Sequence, residues 1–164
     1  MWLSANRIYD NSEPEYAELK RYAPSGIDLD SLWYSSDITL SYNIAYWRKA
    51  NAIHGWFVAE CADGVDECQQ IPVFRSDLVE LNNLCKSVIN DPSTALKTLP
   101  PTRHPEAEVF DAVRQGHSQL LFGYNNIDIY YFLHIKDTIS ILDKILEIIP
   151  EGNNKWNFVY QASW

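Results

Sequence analysis

From Ser41 to Cys61 apolar side chains recur at helical spacing: Tyr46, Ala50, Ile53, Phe57 and Cys61 stand three or four residues apart, the period of a single buried helix face. The pattern predicts a helix over 41–61, ended by Asp63-Gly64. A second stripe of Phe132, Ile135, Ile139, Leu142, Leu146 and Ile149 predicts a helix over 129–149. Ser76, with Asp77 and Glu80 behind it, has the composition of a helix start. The helix that follows turns Leu78, Leu81, Cys85 and Val88 or Ile89 inward and stops at Asn90-Asp91-Pro92-Ser93. Shorter patterns read as a helix near Pro14 to Tyr22, an edge strand from Trp2 to Tyr9, an extended piece from Gln70 to Phe74 and a surface helix from Glu106 to Gln115. Strands are predicted over Gln119–Tyr124, before the turn Asn125-Asn126, and over Trp156–Gln161, after Gly152-Asn153-Asn154. The sum is an α+β fold, mainly helical, with the 41–61 and 129–149 helices packed on each other and on a small antiparallel sheet. The chain reads as one domain over 1–164, with residues 1–40 the least patterned part and Leu99 to Pro105 the clearest break.

Composition narrows the function classes. A chain of 164 residues that is 46% hydrophobic can build a core without a metal or disulfide staple. Its apolar runs are broken by charge within a few residues, too soon for a membrane span. The start, Met1 to Arg7, lacks the pattern of a secretory signal, so the expected location is the cytoplasm. The three cysteines, Cys61, Cys68 and Cys85, are then read as reduced thiols. A net charge of -9 argues against direct nucleic-acid binding, which needs clustered Lys and Arg. The same acidity serves solubility, or meets a basic partner.

Candidate chemistry concentrates in Tyr46 to Phe57. On a helical wheel Trp47, Asn51, His54 and Val58 share one shoulder, with Arg48 beside it and three residues from Asn51. An indole face beside a guanidinium, an amide and an imidazole can stack a planar ring and bind phosphate or carboxylate oxygens. The candidate ligand-binding residues are therefore Trp47, Arg48, Asn51 and His54, with Tyr124 and Tyr131 as walls. The same residues also admit a packing role, with the indoles on the sheet and the polar groups paired to nearby carboxylates. His54 and the three cysteines lack the short paired spacing of a zinc site, and Asp63 to Glu67 lacks the alternating ligands of a calcium loop. No catalytic residue, metal ligand or cofactor motif is assigned.

Several pieces of the chain carry a likeness to other proteins: Trp47-Arg48-Lys49-Ala50-Asn51, Ile53-His54, Trp56-Phe57-Val58, Gly64-Val65-Asp66-Glu67-Cys68, Leu78, Leu81, Leu84-Cys85-Lys86, Leu99-Pro100, Phe122-Gly123, Tyr131, Asp137-Thr138 and Tyr160-Gln161-Ala162-Ser163-Trp164. With them the chain resembles a family of small proteins of bacteriophages and their bacterial hosts. The likeness spans about residues 42–164 and departs at Pro101 to Ser118, which reads as an insertion. The family has no activity to carry over, so the resemblance implies only a setting, that of accessory phage proteins acting on host machinery or host defence.

The leading expectation is a non-enzymatic, phage-type binding protein that interferes with a host process by sequestering a small anionic, nucleotide-like ligand. An acidic inhibitor that mimics nucleic acid before a host or defence enzyme is the alternative, and a hydrolase or transferase is the third reading. The wealth of Trp and Tyr also points to a homodimer that buries some of them between subunits.

Overall fold

A computed structural model describes residues 1–10, 12–23, 37–99, 127–152 and 155–163. The predicted strand 119–124, the predicted helix 106–115, the insertion at 101–118 and Tyr124 lie outside them. Among the described residues the chain is an α+β fold, with a four-stranded antiparallel sheet covered on one face by helices. The strands are β1 (Trp2–Tyr9), β2 (Ile38–Tyr46), β3 (Gln70–Val73) and β4 (Trp156–Gln161), in the order β2-β1-β4-β3. β1 pairs with β2 on one side and β4 on the other, so it is an interior strand and not the edge expected. The β4 prediction holds over its full length.

The helices are α1 (Pro14–Leu19), α2 (Asn51–Cys61), α3 (Arg75–Asn90), the short α4 (Ala95–Thr98) and α5 (Ile129–Ile148). The predicted 41–61 helix is corrected: its first part is strand β2, and the helix begins only at Asn51. Ile38, Leu40, Tyr42 and Ile44 alternate with polar residues, and this period of two, in a run rich in β-branched and aromatic side chains, prevails over the helical spacing. Tyr46 consequently leaves the core and is 67% exposed. Lys49, at φ 58°, occupies the left-handed region and turns the strand into the helix within a few residues.

The long helices that pack on each other are α3 and α5. In α3, Leu78, Leu81, Cys85 and Val88 are fully buried, as their spacing predicts. Its start differs: Ser76 is not the cap, because Asp77 accepts the Phe74 backbone N–H at 2.7 Å and the helix opens at Arg75. In α5 the deepest stripe is Tyr131, Ile135, Thr138, Leu142, Ile145 and Ile149, while Phe132, Ile139 and Leu146 are half-buried at its flank. The expected stripe skipped Tyr131, Thr138 and Ile145; the first two carry hydroxyls, and each hydroxyl is bonded internally. Asp128 caps α5 by accepting the Tyr130 and Tyr131 N–H groups. At the far end Arg75 donates to the carbonyls of Leu146 and Ile149 at 3.1 and 3.0 Å, where a cation suits the helix terminus. This bond fixes the start of α3 against the end of α5.

The inner sheet face closes the core. Leu3 and Ala5 of β1, Ile71 and Val73 of β3, and Phe158 and Tyr160 of β4 meet the helices there. No described helix is long and apolar enough to cross a membrane.

Candidate functional site

The first two turns of α2 are buried on every side, from Asn51 through Phe57. A helix enclosed all round has no solvent shoulder, and the structure places the predicted ligand residues accordingly. Trp47 and Arg48 precede α2, so the i,i+3 pairing of Arg48 with Asn51 on one helix does not exist. Trp47 is only 3% exposed. Its Nε1–H donates to Thr138 Oγ1 at 2.9 Å, and its rings tilt against Phe57 and Tyr160 with centroids 5.9 and 6.4 Å away. Arg48 is exposed at the bend. Asn51 and Tyr131 are buried, and Tyr131 donates its hydroxyl to the Leu99 carbonyl at 2.9 Å.

His54, 6% exposed, joins two partners. Its Nδ1 lies 2.7 Å from the Tyr160 hydroxyl and its Nε2 3.1 Å from Asp66 Oδ2. A neutral imidazole satisfies both with one tautomer: Nε2–H donates to the carboxylate and Nδ1 accepts the tyrosine O–H. Burial, and then the nearby Asp66 carboxylate, raise the Tyr160 phenol far above its usual range, which keeps that proton in place. The Tyr160 ring in turn stacks on Phe57 at 4.1 Å. The acidic turn at Asp66 is thus tied to the middle of the sheet through a histidine. Charge reversal at Asp66 therefore perturbs a bonded interior group.

Asn51, Tyr131, His134 and Ile135 line a cavity of about 10 Å³ at the start of α2. This holds one water and no more, against the roughly 300–1,000 Å³ of small-molecule pockets. The His134 imidazole is held below its ordinary value by burial, partly offset by Asp137 and Asp128. Its sign follows from linkage: a depressed imidazole contributes stability that is complete above about 6.5 and is lost as pH falls below it. His134→Gln should reduce the loss of stability between about pH 6.5 and 5, by less than about 1 kcal/mol, in urea titrations at the two pH values. An unchanged pH profile in the variant would show that His134 titrates no differently in the unfolded chain.

Neither helical thiol is poised for nucleophilic chemistry. Burial pushes Cys85 up to about 12, and burial with the Asp77 carboxylate does the same to Cys61. Among the described residues no three His, Cys, Asp or Glu side chains converge as a metal site would require.

The outer face of the sheet has a different character. The registers place Trp2, Ser4, Asn6 and Ile8 of β1 there, beside Thr39, Ser41, Asn43 and Tyr46 of β2. Asn157, Val159 and Gln161 of β4 follow, then Gln70 and Pro72 of β3. None of these positions is charged, in a chain that is 21% charged. All but Ser4 are exposed or half-buried; Ser4 donates to Asn43 Oδ1 across the strands at 2.9 Å. Trp2 stands opposite Tyr46. Together with Asn43, Ile44 and Ala45 they line an open groove of about 370 Å³. Sequence reasoning missed this face because it is split among four strands; its only local sign was the alternation in 38–44. Comparison with protein-family models, with curated proteins and with solved structures yields no match.

Proposed function

We propose that this chain is a non-enzymatic binding protein that recognises a partner protein through the outer face of its sheet. The observation that carries this reading is that none of the described strand positions of that face is charged. Interface centres are depleted of charged side chains and enriched in aromatic ones, and Tyr, Trp, Ser and Asn are the residues from which protein-binding surfaces are assembled at low entropic cost. Trp2 and Tyr46 supply anchors of the kind that dominate binding energy, and the hydrogen-bonded strands hold them preorganised. The partner surface is correspondingly flat and uncharged. In the bacteriophage setting implied by the sequence resemblance, it belongs to a host protein.

Sequestration of an anionic nucleotide retains Arg48 as its cation, but the indole that was to stack the ring is buried and its N–H is bonded to Thr138. That reading and the present one separate by mutation. Asn157→Arg puts a charge on the outer face, at a cost to stability within about 0.5 kcal/mol. It should weaken capture of a partner in cells by tenfold or more, as read by quantitative cross-linking and mass spectrometry, and the loss should reproduce with the purified partner. Arg48→Ala should leave capture unchanged. Capture that survives Asn157→Arg and fails in Arg48→Ala, with nucleotides raising the melting temperature, would reverse the assignment.

A further inference from the structure

The two edges of the sheet are built differently. β3 is four residues long and contains Pro72, which offers no N–H to a neighbouring strand and blunts that edge. β2 is nine residues long, Ile-Thr-Leu-Ser-Tyr-Asn-Ile-Ala-Tyr, with no proline and no charge, and among the described residues no strand pairs with its outer side. An edge of this kind is a template for another strand.

We infer that β2 pairs antiparallel with β2 of a second copy of this chain, about a two-fold axis at Tyr42. The sequence is self-complementary about that residue. Tyr42 meets Tyr42, Ser41 meets Asn43, and Leu40 meets Ile44, so over residues 40–44 apolar opposes apolar and polar opposes polar. Cross-strand pairs of these kinds stabilise a sheet, whereas like charges placed opposite each other oppose it. For two chains that each carry a net charge of -9, an uncharged strand is where close approach costs least. The irregularity where Leu3 and Ser4 face Ala45 and Asn43 puts Ile44 at a bulge, which ends the regular pairing there. A continuous sheet keeps both sets of helices on one side, so the two uncharged outer faces form a single surface. Such a dimer presents the face described above twice, which raises avidity for a repeated or dimeric partner. The pairing itself requires no partner.

Light scattering coupled to size exclusion, and sedimentation equilibrium, test this on the full chain. The wild type should have twice the 19.0 kDa mass of one chain at micromolar concentration. Ser41→Glu with Asn43→Glu places acidic pairs opposite each other twice and should weaken association about tenfold or more. Ser41→Lys with Asn43→Glu instead makes two opposite-charge pairs and should restore the dimer. Circular dichroism checks that each variant is folded. A wild type that stays monomeric, or a dimer indifferent to the paired glutamates, overturns the inference. Either result leaves the outer-face reading intact, because Asn157 lies on β4, away from the paired edge.

Discussion

Replacing Trp47 by alanine should destabilise the protein by about 3–5 kcal/mol, a large share of the 5–15 kcal/mol that holds a typical domain together. The indole fills the junction between the bend after β2, helix α5 and the rings of Phe57 and Tyr160. Trp47→Phe keeps most of the apolar volume but removes the N–H that Thr138 accepts, so its cost should be about 1–2 kcal/mol. Thr138→Val leaves the indole N–H buried without an acceptor and should cost about 1–3 kcal/mol. The two changes should be less than additive, since each removes the same bond. Arg48→Ala, one residue along and exposed, should stay within about 0.5 kcal/mol. Urea unfolding of the four variants checks the series. Equal costs at Trp47 and Arg48 would contradict the burial described for the bend.

The second large effect is expected at Tyr160. Removing its hydroxyl in Tyr160→Phe preserves the stack on Phe57 but strands His54 Nδ1 in the core, at a cost of about 1–3 kcal/mol. Asp66→Asn retains an oxygen to accept the Nε2–H and loses only the charge, so about 1 kcal/mol is expected. The two side chains do not bond each other, and His54 bonds both. A coupling energy of about 0.5 kcal/mol or more between them in a double-mutant cycle would therefore report transmission through the imidazole. It should vanish when both changes are made in a His54→Ala background. Strict additivity would mean that the three groups act as two separate pairs.

The legible parts of this chain were those in which one face is buried and the other wet. Helix α3, the extent of α5, and strands β1 and β4 all announce themselves by that contrast. The region 41–61 did not, because Tyr46, Ala50, Ile53 and Phe57 share a helical period by coincidence across a strand, a bend and a helix. The left-handed turn at Lys49 carries no glycine to mark it. Helix α2 is enclosed, so its polar residues gave the false look of a solvent shoulder; Asn51 and His54 are interior groups, and Trp47 is core. Thr138 and Tyr131 were passed over for the opposite reason, since a hydroxyl hides a core position whenever its bonding partner is distant in sequence. Of the six residues chosen as a ligand site, Arg48 alone among the described ones stays at the surface. The uncharged outer face could be recognised only once strand order was known, because its residues come from four separate segments.

The central pair of the sheet, β1 with β4, joins residue 2 to residue 161 and residue 7 to residue 156. Contacts of such sequence separation form late and slow folding, since the loop-closure entropy must be met before they contribute. During synthesis β1 and β2 leave the ribosome long before β4, and a β1–β2 ribbon formed in that interval has an open β1 edge as well as the uncharged edge of β2. An intermediate with two such edges is prone to wrong pairing between chains. The strand that closes the sheet therefore also ends the period in which the nascent chain is most vulnerable to aggregation.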